Sequence, residues 1–98
     1  MPRRILDRIR EAVRNSTYDM TFHAVEEMAE DALDLADVES SVLNGRLVKT
    51  EKDDPRGPRY TLHGIAEDGM VSVGTVGRFT ETGRYLIITV YKVMERQI

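Results

Sequence analysis

The chain predicts an α+β domain in which N-terminal helices pack on one face of a four-stranded antiparallel sheet. Three observations predict it. Apolar residues recur at helical spacing before Gly45 and in short, alternating runs after it. Glu67-Asp-Gly69 and Glu81-Thr-Gly83 are turns too short for anything but antiparallel neighbours. Finally, 98 residues with 41% hydrophobic side chains suit one core and one domain, and the order helices first, strands after is that of a segregated α+β layer pair.

The elements follow in order. From Arg3 to Arg14, Ile5, Leu6, Ile9, Ala12 and Val13 form an apolar stripe with arginines opposite, which predicts an amphipathic helix. Asn15-Ser16-Thr17 breaks it. Thr21 then stands as the N-cap of a second helix reaching about Ala32, with Phe22, Val25, Met28 and Ala29 as its expected buried stripe. Asp34, with Asp37 three positions on, opens a third helix through a variant of the capping box; Val38, Val42 and Leu43 face inward, and Asn44-Gly45 is expected to close it with a left-handed glycine. Four strands are expected, over 46–52, 59–66, 70–79 and 84–94, with Asp53-Asp-Pro-Arg-Gly-Pro58 as the first connection. In the last, period 2 puts Tyr85, Ile87, Thr89 and Tyr91 on one face and the aliphatic Leu86, Ile88 and Val90 on the other, towards a core.

Charge is segregated along the chain. The net −3 divides into +3 over residues 1–15, −8 over residues 16–44, which hold no Lys or Arg, and +2 over the remainder. Such segregation marks either an internal charge match or two surfaces with different partners. No apolar run approaches the roughly 20 residues of a membrane helix, and the N-terminus lacks the apolar segment of a signal peptide, so a cytoplasmic location is expected. The absence of cysteine excludes disulfides and thiolate chemistry; two histidines without a spaced acidic cluster do not make a metal centre. Gly74-Thr-Val-Gly77 lacks the lysine and the helix of a phosphate loop and reads as a place of bending or close approach, and the chain has no cofactor fingerprint. The five methionines read as core filler.

Several side chains could carry chemistry. His23, expected in the first turn of its helix, suits a general base, or else fixes the helix entry. Arg59, Thr61, His63 and Ile65 share a face of the second strand, Arg78 falls with Val76 and Gly74 on the third, and Thr89 with Tyr91 on the fourth. These converge on one surface only if the registers agree, because a slip of one residue sends every side chain to the opposite face. The alternative for Arg59 and Arg78 is cross-strand pairing with carboxylates, and for Tyr91 an amphipathic aromatic at the sheet margin.

Phe22-His23-Ala24, the Arg56-Gly-Pro58 entry to a strand, and the closing Ile87-Ile-Thr-Val-Tyr91 resemble, in this order, the bacterial domain-of-unknown-function 4258 family, with its HA-x-x-R-M helix, R-G-P strand entry and I-I-T-x-Y strand. The likeness covers roughly residues 18–92. That family is similar to the RelE/ParE-like toxins, and the resemblance implies a small RelE-like α+β toxin of a toxin–antitoxin pair that either cuts RNA, free or on the ribosome, as a metal-independent endoribonuclease or binds a target enzyme, and is held inactive by a small antitoxin protein; a degenerate relative of such a toxin is the variant of this reading. Its catalytic set would be His23, Arg59, His63 and Tyr91, with Arg78 and Thr89 binding: a histidine as base, Tyr91 as acid or orienting donor, arginines on phosphate. Glu27 and Asp31 stand where the family's helix usually carries arginine, and carboxylates there oppose a polyanion. The competing reading is a non-catalytic protein-interaction module on the same scaffold, with a homodimer as one form of it, which would expose an apolar or acidic patch along Val25, Glu26 and Ala29.

Overall fold

The computed structural model describes residues 4–94. Three helices, α1 (Ile5–Arg14), α2 (Phe22–Glu30) and α3 (Leu35–Asn44), cover one face of a five-stranded sheet made of β1 (Tyr18–Met20), β2 (Arg46–Glu51), β3 (Arg59–Ile65), β4 (Ser72–Phe79) and β5 (Tyr85–Lys92). The order across the sheet is β1-β5-β4-β3-β2. The α+β class stands, while the four-stranded antiparallel sheet is corrected: β1 adds a fifth strand, and it runs parallel to β5, with Tyr18 opposite Tyr85 and Met20 opposite Ile87. Three residues are too few to show a period of two, so the helix that follows masks them.

Local signals explain most boundaries. The Thr21 hydroxyl accepts from the Ala24 amide and so caps α2. It also donates to the Ile88 carbonyl at 3.0 Å, so one side chain starts the helix and fastens it to β5. Asp34 and Asp37 form the expected capping box of α3. Gly69 and Gly83 take positive φ in their hairpins. Gly45 does not: its φ is −81°, and glycine is needed there because a Cβ would lie 2.3 Å from the Ser41 carbonyl oxygen. That close approach lets β2 leave α3 directly.

Ile9, Ala12 and Val13 of α1, Ala24 of α2, and Val38 and Val42 of α3 meet Leu62, Val73, Tyr85, Ile87 and Val90 in one buried cluster. Each Val, Leu or Ile among them contributes roughly 1.5–3 kcal/mol on leaving water. Two expectations about faces fail, for identifiable reasons. In β5, Val76 pairs with Thr89 but Gly77 with Ile87, so Ile88 is an extra residue. This bulge reverses the alternation, sending Tyr85, Ile87 and Val90 to the core and Leu86, Thr89 and Tyr91 to the other face. In α2 the expected buried stripe is largely outside: Ala24 is the buried residue, while Phe22 is 80% and Val25 42% exposed. A helix lying along the margin of the sheet touches it through a narrower face than the apolar pattern suggests. Met70 and Met94 are also exposed rather than core filler. Among the described residues no helix is long and apolar enough to cross a membrane.

Candidate functional site

Gly64 fixes which side of the sheet is open. A Cβ there would strike the Ser41 carbonyl of α3, so Gly64 and its alternate neighbours Leu62 and Tyr60 face the helices, and Arg59, Thr61, His63 and Ile65 face away. Register then carries this face across the molecule. Arg46 pairs with His63, His63 with Gly74, and Gly74 with Tyr91. A second row runs Lys49, Thr61, Val76, Thr89, and a third pairs Glu51 with Arg59 and Arg78 with Leu86. The wager on register therefore comes out on one side: Arg59, His63, Arg78, Thr89 and Tyr91 share the open face. Arg46 and Lys49 join them, which sequence reasoning missed because a bulge between Leu47 and Lys49 sets their orientation.

The first row is built around a missing side chain. A Cβ on Gly74 would lie 2.3 Å from the Tyr91 ring, so glycine alone allows the ring to cross β4. Tyr91 thereby reaches His63 two strands away: its hydroxyl lies 2.8 Å from His63 Nε2, and the rings meet edge to face at 5.8 Å. Partial burial raises the Tyr91 pKa above the ordinary phenol value, which keeps the hydroxyl protonated and able to donate. Beside this pair lies a recess of about 400 Å³ lined by Asn44, Arg46, His63 and Ser72 among others. The His63 imidazole and the Arg46 guanidinium thus line one open recess, and the protonated Tyr91 phenol meets His63 beside it, a set able to move a proton and hold an anion.

The remaining predicted residues differ in how free they are. Arg59 is occupied, with Nη2 at 3.2 Å from Glu51 and Nε at 3.8 Å from Asp54. Arg78 makes no hydrogen bond or ion pair with the described residues, and its Nε is shielded from solvent without a partner. Such a guanidinium is poised for an anion. His23 stands apart from the sheet row: it is exposed on α2 and its Nε2 lies 3.1 Å from Glu27. The same Glu27 oxygen accepts from the Val90 amide at 3.2 Å, and Asp31 accepts from the Lys92 amide at 3.2 Å. Glu27 of α2 and Asp31, the residue that caps its C-terminus, thus continue the hydrogen-bond ladder of β5 where β1 stops. Among the described residues, Asp34, Asp37 and Glu67 bring carboxylate oxygens within 4.8 Å of one another. The amides of Asp34, Asp37 and Glu67 already bond the Asp34 and Asp37 carboxylates there, so the cluster is accounted for by the helix cap.

A family model described as a domain of unknown function, DUF4258, matches residues 20–92. No curated protein and no solved structure matches the chain. The matched span begins at the last residue of β1 and ends with β5, so it contains the whole open face and α2.

Proposed function

We propose, from the premise that this chain belongs to the DUF4258 family, that it is a RelE-like toxin of a toxin–antitoxin pair that cleaves single-stranded RNA on the open face of its sheet. The observation that carries the reading is the His63–Tyr91 hydrogen bond over Gly74, set among Arg46, Lys49 and Arg78. In this reading His63 removes the proton of a ribose 2′-hydroxyl, whose oxygen attacks the adjacent phosphorus. The bond to the 5′ oxygen breaks as Tyr91 donates its proton to that oxygen. Tyr91 recovers a proton from the His63 imidazolium across their hydrogen bond, which restores both groups. Arg46 holds the phosphoryl oxygens as charge builds on them, and Arg78 holds a phosphate further along the strand. The products are a 2′,3′-cyclic phosphate and a 5′-hydroxyl, and each step uses side chains alone. His23, tied to Glu27, has a place at the β5 edge rather than at the reacting bond. The partners that belong with this function are RNA, free or on the ribosome, and a small antitoxin protein, in the cytoplasm.

The test is cleavage of an end-labelled single-stranded RNA by the purified protein in EDTA. Wild-type protein should yield cyclic-phosphate ends; His63→Ala and Tyr91→Phe should each lower the rate by about 10²–10⁴, the range of a general acid or base, while remaining folded at the assay temperature. No cleavage by folded wild-type protein, or undiminished cleavage by both variants, refutes the assignment. A second reading, a non-catalytic protein-interaction module, draws on one separate observation: the Phe22 and Val25 side chains of α2 stand exposed beside Glu26.

A further inference from the structure

The helix side of the molecule carries a groove that the chemistry of the sheet face does not use. It lies between α2 and α3, has a volume of about 530 Å³, and is lined by Tyr18, Met20, Val25, Met28, Leu35 and Glu39 among others. Its apolar walls are unusually open: Val25 is 42% and Leu35 46% exposed, and Phe22, three positions before Val25 on α2, is 80% exposed. Carboxylates lie in the groove and beside it. Asp19 and Glu39 line it, Asp19 with the Arg84 Nε at 2.7 Å. On α2, outside the lining, Glu26 and Glu30 are four apart on the row that starts at Phe22; both are exposed and neither has a hydrogen-bond or ion-pair partner among the described residues. On α3, Glu39 follows Leu35 by one turn and is held in place by the Tyr18 hydroxyl, which donates to it at 2.6 Å. No lysine or arginine occurs anywhere in residues 16–44.

We propose that this groove docks an amphipathic helix of a second protein, whose apolar stripe is flanked on both sides by lysine or arginine. The occupant is a helix because the walls are two helices, which offer side chains and no free backbone ladder, and the three-residue β1 is too short an edge to add a strand. It is basic because an apolar seam bordered by carboxylates selects opposite charge at its flanks. A second copy of this chain does not fit. Its α1 spends its apolar stripe, Ile9, Ala12 and Val13, in its own core, and two α2 faces would set Glu26 and Glu30 against their own kind. Since no part of the inference uses His63, Tyr91 or RNA, it stands or falls apart from the cleavage reading.

The test uses two fluorescein-labelled synthetic amphipathic helices, one of Leu and Lys and one of Leu and Glu, titrated with the full chain and followed by anisotropy. The Lys peptide should bind about tenfold or more tightly than the Glu peptide. Val25→Ser with Leu35→Ser, both exposed and so tolerated by the fold, should abolish that binding, and Glu26→Lys with Glu30→Lys should reverse the preference. Equal binding of the two peptides, or a preference that survives the charge reversal, overturns the proposal. So does Lys-peptide binding that is indifferent to the Ser pair, since that is attraction to acidic surface without the groove. Light scattering that shows a dimer abolished by the Ser pair would give the groove to a second copy and equally overturn it.

Discussion

At the scale of single residues the candidate site depends on an absence at Gly74 as much as on any group present. Alanine there puts a carbon 2.3 Å from the Tyr91 ring, so the ring must swing away and the bond to His63 is lost. Gly74→Ala should therefore cost about 1–3 kcal/mol by overpacking, whereas Tyr91→Phe, which keeps the ring, should cost only about 0.5–1.5 kcal/mol for one hydrogen bond. Urea melts of the two variants check the order; a Gly74→Ala protein as stable as wild type would show that the ring does not lie over β4. Asp37 gives a second prediction, in pH. The Asp34 amide, then those of Glu67 and the Asp34 side chain's share of the capping box, hold its carboxyl below the ordinary 3.8. A depressed carboxyl contributes stability that is present above its unfolded value and is lost as pH falls through the folded one. Asp37→Ala should thus be less stable than wild type near pH 7, with the gap unchanged down to about pH 5 and closing below 3.8. Melts at a series of pH values that show a constant gap down to strong acid would deny the cap its ionic part. The His63–Tyr91 pairing itself is half legible in the residues: the two can be assigned to faces, but the glycine that joins them is visible only once its two neighbours in register are known.

At the scale of elements, what the sequence conveys is periodicity, and what it conceals is where periodicity breaks. The helices are announced by caps and stripes, and their observed bounds fall within a residue or two of those signals. The extra residues Val48 and Ile88 carry no such mark, because an aliphatic side chain looks the same whether it continues a strand or bulges from it. Each reverses a face, and the second decides that Tyr91 looks away from the core. The acidic positions of α2 are the other case. Glu27 and Asp31 read from sequence as charges opposed to a polyanion, yet in the fold they are acceptors for β5 amides, replacing the strand that β1 is too short to provide. Glu27→Ala should then accelerate amide exchange at Val90 while leaving Val76, inside the β4–β5 ladder, protected. Exchange at Val90 that does not respond would mean the β5 edge is covered some other way. Thr21→Ala should be worse than an ordinary cap loss of about 0.5–2 kcal/mol, since the same hydroxyl also holds the Ile88 carbonyl.

At the scale of the whole molecule, the segregation of charge along the chain becomes a segregation between the α2–α3 surface and the open sheet, while α1, in the same helix layer, carries Arg8, Arg10 and Arg14. The acidic stretch forms α2, α3 and the groove between them, and the basic stretch supplies Arg46, Lys49, Arg59 and Arg78 to the open sheet. On the proposed reading, a polyanion is repelled by the α2–α3 surface and drawn to the open sheet, which favours its approach to the His63–Tyr91 pair. Rows at His63 and Arg59 are four residues apart on β3, about 13 Å at roughly 3.3 Å per residue, so on the proposed reading the two ends of the face would meet different phosphates of one strand. Affinity for single-stranded RNA should consequently fall with salt, by about 0.7 in the logarithm per decade of salt for each phosphate neutralised. Arg46→Ala with Arg78→Ala removes two unpaired cations from opposite ends, and should flatten the slope by about 1.4. Arg59→Ala should flatten it less, since Glu51 and Asp54 already compensate that charge. Binding isotherms over a salt series separate the outcomes: equal effects of Arg59 and Arg78 would mean that the ion pairs open on binding, and a slope untouched by the double substitution would place RNA on some other part of the surface.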